Sequence, residues 1–530
     1  MDGMKGFLLA LLAFAMVILG YCVAIMVGSE GYFTYVLDDA YIHLAMAKNF
    51  AFHHIWGVTP YQFSSTSSSP LFTLVLSFLM KIFGNSALIP LFFNLVIGVL
   101  TIFLLTRYFS SVFHKTKPVV FAVLFTLLFA VFHLQILSGM EHVLQVFLFV
   151  LNVSFLIKWH QSFFKDKNAG YWFFFSLAFL GLIRFESMFY FSALILGFLM
   201  LKKWKFALYT ALFGFLPLAA FCLINYQESG LWFPNSVLVK GTKFDLSDNV
   251  FIQLMQMFLK KIVFNTSTLK IAALPLVLST LFFVRDYKIT RSYAVVFRKN
   301  FVLIIFCLTM VLHLVFAEFK GFFRYEAYLL TVFCMLLIPR LKDFFSDFVG
   351  AFKKEIWIGC LIVVHFALLI YKTSYAHLML VYGTKSIFEQ QVQSARFLHH
   401  YYNTSKVVAN DIGAICYYSD IHLLDVAGLG SAETIFFNEN QKAMGQDFED
   451  FLLKYTEKNN YQLAIIYEEW LTGHVPKHWR KAAVLRIPQL YGAAIDHVSV
   501  FAIDPSEIEN LKKNIKNFNW NRNVTVEIMP

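Results

Sequence analysis

Two adjacent carboxylates, Asp38 and Asp39, are the side chains of this sequence that could do chemistry most directly. They follow the first long apolar run and precede a helical pattern over 40–52 and a hydroxyl-rich run over 64–69. A carboxylate at a membrane surface can accept the proton of an attacking hydroxyl group. The same residues could instead cap the helix, because aspartate is favoured at helix N-termini. This stretch alone leaves both interpretations open.

The composition is that of a polytopic membrane protein. Of the 530 residues, 58% are hydrophobic and 15% are charged, whereas soluble domains are about 45–50% apolar and about 25% charged. The net charge of +11 fits the basic cytoplasmic loops of membrane proteins, so we expect no nucleic-acid partner. The six cysteines form neither a disulfide framework nor a metal motif, and no P-loop or GxGxxG turn indicates a nucleotide site.

Apolar runs predict about eleven transmembrane helices, since a span requires roughly 20 apolar residues. With the N-terminus inside, Lys and Arg favour the inner loops by about two to one, as the positive-inside rule requires. The first outer loop then covers 28–87, and its apolar segment 70–84 is interpreted as an interfacial helix. The predicted spans are 6–27, 88–108, 118–137, 141–158, 170–184, 187–201, 205–224, 268–284, 300–317, 324–339 and 356–371.

The composition changes after Tyr371, and the pattern predicts two domains. Residues 1–371 form the transmembrane catalytic module, and 372–530 form a soluble α/β domain outside the membrane. A helix over 385–402 precedes five short β-rich runs with helical pieces between several of them, which is typical of a small α/β domain. We expect this domain to bind or guide the acceptor and to lack the catalytic base. Asp411 and Asp425 are interpreted as loop or strand-end residues.

Ionisable residues gather at five predicted outer loops, and such residues near a membrane often mark a functional site. For any single residue the alternative is snorkelling to the interface. Arg184 and Glu186 are two positions apart and are not expected to pair, because such residues do not face each other on a helix. Arginine suits phosphate, so the candidate donor-phosphate ligands are Arg184, Arg324, Lys320 and Lys240.

Asp38–Ile42 together with Ser65–Leu71 resembles the first periplasmic loop of the GT-C glycosyltransferases, in particular their bacterial arabinofuranosyltransferase-like branch. The resemblance implies a polyprenyl-phosphate sugar donor, inversion at the sugar carbon, and a first-loop aspartate as catalytic base. Ser138 and Phe185 stand where the family often has Thr and Pro, which leaves the sugar and the acceptor open. Further matching stretches are 138–141, 184–186, 230–236, 324–325, 410–415 and 424–429.

The predicted function is transfer of a sugar from a polyprenyl-phosphate donor to a cell-envelope glycan or lipid, at the outer face of a bacterial inner membrane. Asp38 is favoured as the base, with Asp39 holding it, the acceptor or an ion, so a divalent cation stays an open question. The alternatives are a transporter or flippase of a lipid-linked sugar, and a sensor or scaffold. The charges crowd one surface and no repeat is evident, which favours an enzyme. The candidate substrate-binding residues are Tyr41, His43, Ser67, Ser68, Glu141, His142, Glu186 and Asn235.

Overall fold

The computed structural model describes residues 2–241, 249–263, 265–317, 319, 321–438 and 445–530. The chain is mostly helical, with one mixed sheet near the C-terminus, and short 3₁₀ and π-helical turns join several helices. The helices are α1 Asp2–Gly28, α2 Asp39–His53, α3 Pro70–Phe83, α4 Ile89–Val112, α5 Thr116–Phe129, α6 Phe132–Leu137, α7 His142–Gln161, α8 Lys167–Ile183, α9 Ser187–Met200, α10 Trp204–Ser229, α11 Asn235–Lys240, α12 Val250–Phe258, α13 Thr266–Thr268, α14 Leu274–Thr290, α15 Tyr293–Lys299, α16 Phe301–Phe316, α17 Ala327–Leu337, α18 Lys342–Ser346, α19 Phe348–Lys354, α20 Ile356–Leu378, α21 Thr384–Ile387, α22 Gln393–Tyr401, α23 Gly413–Tyr418, α24 Ile435–Asn438, α25 Gln446–Lys458 and α26 Ile508–Asn517. The strands are β1 Lys406–Ala409, β2 His422–Asp425, β3 Leu463–Ile466, β4 Arg480–Arg486, β5 His497–Ala502 and β6 Thr525–Ile528.

Helices occupy all eleven predicted spans, but the count of eleven is not confirmed. Among the described residues, five helices are long and apolar enough to cross a membrane, or six if α15 and α16, bent by 84°, form one broken span. The predicted span 118–137 is divided into α5 and α6, because Val131 adopts a left-handed conformation with φ 53°. The breaks lie where the backbone changes direction, which hydropathy alone does not register.

Helix α2 is not exposed at the surface of the fold, whereas the amphipathic pattern of 40–52 predicted a helix lying on the membrane. Most of its residues are buried, including Tyr41, His43 and Lys48, because α2 packs between α3 on one side and α23 of the C-terminal domain on the other. Its N-terminal residue, Asp39, therefore lies where the membrane helices meet the C-terminal domain. Helix α3 has an apolar exposed side, and its interfacial position stays a prediction.

Arg184 and Glu186 form an ion pair, contrary to the prediction that they would not meet. Arg184 follows α8 in extended backbone conformation, with φ −159° and ψ 137°, and Glu186 precedes α9. The Ser187 N–H donates to the Arg184 carbonyl at 3.1 Å, so residues 184–187 form a turn that brings the two side chains together. Arg184 Nε donates to Glu186 Oε2 at 3.0 Å. The helical spacing rule failed here because the two residues occupy the break between helices.

The C-terminal domain is built on a six-stranded mixed sheet with the order β2-β1-β3-β5-β4-β6. The parallel pairs are β1 with β2 and β1 with β3, and the remaining pairs are antiparallel. The five predicted strands are all present, and β6 was missed. Alternate residues of each strand face opposite sides: Val407 packs toward α22 and the membrane helices, and Val408 packs toward α25.

One continuous helical segment, Ile356–Tyr401, joins the membrane helices to this domain. The predicted boundary at 371/372 lies inside this segment, so no linker separates the two parts. A single core of buried side chains extends from the membrane helices through α2 and α23 to one face of the sheet. The C-terminal domain is thus attached both by this helix and by its contact with α2.

Candidate functional site

The candidate site lies where four chain segments meet: the N-terminus of α2, the start of α7, the turn between α8 and α9, and the turn before α17. Asp39 and Arg324 form its first ion pair, with Arg324 Nη1 2.9 Å from Asp39 Oδ2. The Arg324 side chain is 7% exposed, whereas that of Asp39 is 29% exposed. Asp39 is therefore the more accessible member of this pair.

Arg184 forms the second group of contacts, with two glutamates. Its Nη1 donates to Glu141 Oε1 at 2.5 Å, and its other guanidinium nitrogens donate to the Glu186 carboxylate. Ser68 Oγ completes the group, since it donates to Glu141 Oε1 at 3.0 Å and accepts from Arg184 at 3.3 Å. Burial would raise the pKa of Glu186, but the Arg184 guanidinium outweighs burial and lowers this pKa to about 2.

Tyr325 joins the two arginines. Its ring centroid lies 4.6 Å from the Arg184 guanidinium carbon and 5.4 Å from that of Arg324. Arginine over an aromatic face is stabilised by the electrons of the ring, so one ring holds two cations close together. His142, the first residue of α7, contacts the same ring edge-to-face at 5.7 Å between centroids.

His43 and Ser67 support Glu141 from the first loop. His43 Nε2 lies 3.1 Å from Glu141 Oε2, and His43 Nδ1 lies 3.1 Å from Ser67 Oγ. Thr73 donates its hydroxyl to Ser67 Oγ at 2.8 Å. All four side chains are buried. The sequence predicted that His43 and Ser67 touch substrate, and we now propose instead that they hold Glu141 in place.

Asp38 faces away from the arginines and toward the C-terminal domain. Its Oδ2 accepts from the Gly413 N–H at 2.5 Å and its Oδ1 from the Ala414 N–H at 2.8 Å. Asp38 thus caps α23 and not its own helix, for which it makes no side-chain cap bond. Burial, and next the nearby charge of Asp411, raise the pKa of Asp38 well above its usual value.

Two other predicted substrate residues also contact the C-terminal domain. Tyr41 is fully buried, and its ring packs against those of Tyr417 and Tyr418. Asn235 Nδ2 donates to the Leu429 carbonyl at 3.1 Å. Lys240 is the last residue of α11, and its side chain lies outside what the structure describes; Lys320 lies outside the described residues.

Sequence reasoning did not select Tyr325, Glu326 and Lys372 as site residues. Glu326 is buried, and neither of its carboxylate oxygens has a hydrogen-bond partner in the described part of the chain. Lys372, on α20, is also buried and donates to the Phe129 carbonyl at 3.2 Å. Placing an ionisable side chain within an apolar run costs free energy. The positions of Glu326 and Lys372 in such runs were therefore the signal in the sequence that could have marked them as site residues.

The described residues do not fit a metal centre. Among them, no three or more His, Cys, Asp or Glu side chains converge as metal ligands. Asp39 and Glu141 each contact an arginine. The divalent cation of the sequence analysis stays an open question, and no step below is derived through a metal.

Residues 385–501 match a family model described as a domain of unknown function, DUF8728. A search of curated proteins finds no match.

Two solved membrane enzymes are similar over most of the chain. ArnT from Cupriavidus metallidurans bound to undecaprenyl phosphate is 11% identical, with a TM-score of 0.51 over 93% of this chain and 98% of that chain. The apo oligosaccharyltransferase of Archaeoglobus fulgidus is 12% identical, with a TM-score of 0.50 over 98% of this chain and 76% of that chain. Both have the GT-C fold, and the likeness shows that this chain has it too. The arabinofuranosyltransferase-like branch is not confirmed.

Proposed function

We propose that this chain is an integral-membrane glycosyltransferase that moves a sugar from a polyprenyl-phosphate donor to a cell-envelope glycan or lipid, with inversion. One observation carries the proposal: two buried guanidiniums, Arg184 and Arg324, contact one ring beside the partly exposed carboxylate of Asp39. The arginines suit a phosphate leaving group. The carboxylate suits an attacking hydroxyl group. The GT-C fold, found also in a structure with undecaprenyl phosphate bound, supports the same substrate class.

In the proposed reaction, the acceptor hydroxyl oxygen forms a bond to the anomeric carbon of the sugar while the bond from that carbon to the phosphate oxygen breaks. The hydroxyl proton passes to a carboxylate, and the negative charge that develops on the phosphate is met by the two arginines. We assign the base role to Asp39 in preference to Asp38. Both oxygens of Asp38 already accept backbone N–H groups, whereas Asp39 contacts the arginine that would bind phosphate.

The Asp39–Arg324 ion pair gives donor binding a further role in the proposal. Arg324 Nη1 donates to the carboxylate of Asp39 at 2.9 Å. A phosphate that takes up the same guanidinium would release that carboxylate for the acceptor hydroxyl. Donor binding would thereby prepare the base, so that Asp39 is freed only when a leaving group is in place.

The site is proposed to face the outer side of a bacterial inner membrane. The support is the excess of Lys and Arg in the opposite loops, which follows the positive-inside rule. Nucleotide sugars are confined to the cytoplasm, so a lipid-linked donor fits an outward-facing site.

Purified Asp39→Asn tests the proposal. Membranes or nanodiscs would be supplied with a panel of radiolabelled polyprenyl-phosphate sugars and an envelope glycolipid extract. We expect the wild type to transfer label from at least one donor and Asp39→Asn to lose about 10²–10⁴-fold in rate, the typical contribution of a general base. Asp166→Asn is the matched control, because Asp166 caps α8 far from the site and asparagine caps equally well.

Full activity of Asp39→Asn would show that Asp39 is not the catalytic base. If no donor yields a covalent product while labelled lipid still crosses the bilayer, the chain is a transporter or flippase and the proposed function is wrong.

A further inference from the structure

A cavity of about 390 Å³ lies within the helical part of the chain, and none of the residues that line it belongs to the candidate site. Its walls come from α5, α14, α17, α18, α19 and α20. Eight of the eighteen lining residues are phenylalanine. Sites for small apolar ligands have this size and lining, since they measure about 300–1,000 Å³ and are mainly hydrophobic and aromatic.

The cavity and the candidate site lie at opposite ends of α17. This helix begins at Ala327, three residues after Arg324, and the cavity is lined by Leu337, the last residue of the helix. A helix rises 1.5 Å per residue, so the ten residues between these positions span about 15 Å. In the proposed orientation of the chain, the cavity therefore faces the inner leaflet of the membrane.

The exposed residues of the lining mark the mouth of the cavity. Phe121 and Phe348 are 45% exposed and Phe366 is 37% exposed, whereas Phe129 and Phe333 are buried. Lipid tails are as apolar as these side chains. An aromatic mouth on the outer surface of membrane helices thus admits an acyl chain from the bilayer.

The mouth also carries positive charge. Lys117 lines the cavity and is exposed, and it forms no hydrogen bond or ion pair among the residues that the structure describes. The two segments that contribute Lys117 and Phe348 to the mouth, 113–118 and 339–355, hold six Lys or Arg against three Asp or Glu. Basic segments next to a membrane are attracted by the anionic lipids of the cytoplasmic leaflet.

We propose that this cavity binds one acyl chain of an anionic phospholipid from the inner leaflet, with the phosphate of the headgroup beside Lys117. Charge complementarity selects this occupant, because the mouth combines an aromatic entrance with a cation and a phospholipid combines an acyl chain with an anion. The tail of a polyprenyl-phosphate donor fits less well. Its phosphate is assigned to Arg184 and Arg324 at the other end of α17, so a tail in the cavity would leave Lys117 without an anion.

Photocrosslinking of a lipid probe tests the proposal. The full chain would be placed in nanodiscs of phosphatidylcholine with a small fraction of phosphatidylglycerol that carries a diazirine on one acyl chain. After irradiation, peptide mass spectrometry would locate the modified residues. We expect modification of the buried cavity residues Phe333 and Cys334, which lipid on the outer surface does not reach. The reference is α10, whose Leu212 and Leu216 are exposed to bulk lipid.

Competition identifies the headgroup that the cavity prefers. The measured quantity is the labelling of the buried cavity residues divided by that of α10. Unlabelled phosphatidylglycerol at about tenfold excess over the probe should lower this ratio about fivefold or more, because it competes for one saturable site. The same amount of phosphatidylcholine with identical acyl chains should leave the ratio nearly unchanged.

The Lys117→Gln variant tests the position of the phosphate. We expect it to lower the ratio about fivefold, the effect of one Lys beside an anionic lipid. Lys115→Gln is the matched control, since Lys115 is also exposed and lies two residues away, but it does not line the cavity. Its ratio should equal that of the wild type. An unchanged ratio in Lys117→Gln would overturn the assignment of the phosphate to Lys117.

Three results with the wild type alone would overturn the proposal. Labelling confined to exposed residues would show that lipid covers only the outer surface. Equal competition by phosphatidylcholine would show that the site does not select an anionic headgroup. Stronger competition by undecaprenyl phosphate or by inorganic phosphate would assign the cavity or its cation to the donor or to a free anion. The experiment involves no sugar transfer, so its failure and that of the proposed function are distinguishable.

Discussion

At the residue scale, adjacent side chains Asp38 and Asp39 serve different parts of the molecule. Successive residues at the start of a helix point about 100° apart, so Asp38 reaches Gly413 and Ala414 while Asp39 reaches Arg324. The helix-cap interpretation of the sequence thus applies to Asp38, and Asp39 is the residue that we propose as the base. Asp38 is a cap, but of a helix in the other domain.

The two aspartates should respond differently to the same substitution. Cys416 is buried in α23 at the contact with α2, so its labelling by N-ethylmaleimide reports opening of that contact. Asp39→Asn is expected to lose transfer while Cys416 stays protected from labelling. Asp38→Asn is expected to lose protection as well, because the amide N–H₂ would face one of two backbone N–H donors, and an unmet buried donor costs about 1–3 kcal/mol. Parallel assays of transfer and Cys416 labelling distinguish them. Equal labelling of the two variants would contradict this division of roles.

Measurements of donor binding should show whether Arg184 and Arg324 bind the donor phosphate or only snorkel to the membrane interface. Loss of a charge-assisted contact worth about 1.5–3 kcal/mol predicts that Arg324→Ala weakens binding of a polyprenyl phosphate at least about tenfold. Arg324→Lys should recover only part of this loss, because lysine lacks the two-pronged guanidinium. Binding would be measured with a fluorescent polyprenyl phosphate. Normal binding by both Arg184→Ala and Arg324→Ala would assign these residues to protein stability alone.

The Arg184–Glu186 pair should contribute to stability with a defined pH dependence. Because folding lowers the pKa of Glu186 to about 2, its contribution is complete above the unfolded pKa of about 4.3 and is lost as pH falls toward about 2. The side chains of Arg184 and Glu186 are 6% and 20% exposed, so loss of the Glu186 carboxylate leaves a largely buried guanidinium with Glu141 as its remaining charged partner. Glu186→Gln is expected to lower the thermal unfolding midpoint at pH 7, and this deficit should shrink in acid. A deficit that is independent of pH would point to packing and not charge.

At the element scale, the first loop is held by close contacts at each end. Tyr35 donates its hydroxyl to the Ala87 carbonyl at 2.6 Å and accepts from the Leu91 N–H, so it ties the start of the loop to α4. Gly139, between α6 and α7, has φ +70° and packs against the Tyr35 ring. Glu141 follows two residues later, and this packing therefore positions one of the site carboxylates.

Gly139→Ala is expected to destabilise the loop. Its new β-carbon would lie 2.5 Å from a ring carbon of Tyr35, and such overpacking typically costs about 1–3 kcal/mol. Gly31→Ala is a matched control, because Gly31 has a similar φ of +85° but no heavy atom within 4 Å of the added carbon. The difference between their thermal unfolding midpoints isolates the steric term. Equal midpoints would show that Tyr35 moves aside at no cost.

At the scale of the whole molecule, the C-terminal domain is not an appended module. The continuous segment Ile356–Tyr401 enters it without a linker, and its α23 covers α2. Deleting 385–530 would expose buried Tyr41 and Lys48 together with Asp38. A truncated chain is therefore expected to lose stability, and it does not serve as a test of separate donor and acceptor functions, which the sequence had suggested.

The topology prediction belongs to this scale as well. Reporter fusions after Lys115, Lys203 and Tyr402 should give inside, inside and outside signals, because Lys and Arg concentrate in the loops assigned to the inside, as the positive-inside rule requires. Each position would be fused separately to alkaline phosphatase, which is active outside, and to green fluorescent protein, which fluoresces inside. An outside signal at Lys203 would place the Asp38–Asp39 loop on the cytoplasmic side and contradict the proposed location.

Several features followed from the sequence alone, and each has a local cause. Runs of apolar residues predicted the helices, since apolar side chains must leave water whatever their partners are. Short β-branched runs predicted five of the six strands. Asp38–Asp39, Arg184 and Arg324 were selected because charges next to apolar runs are costly. Hydropathy did not fix the number of spans, because breaks such as Val131 depend on backbone geometry.

Only the tertiary structure decided which of these charges face each other. It paired Arg324 with Asp39 across 285 positions and Asp38 with Gly413 across 375 positions, and no local pattern encodes such distances. It also brought Tyr325 between the two arginines and Asp411 near Asp38. The sequence determined which residue types must be satisfied by a partner, because burial of charge is costly wherever it occurs. The identity of each partner was set by packing, since it depends on how helices far apart in the chain come together.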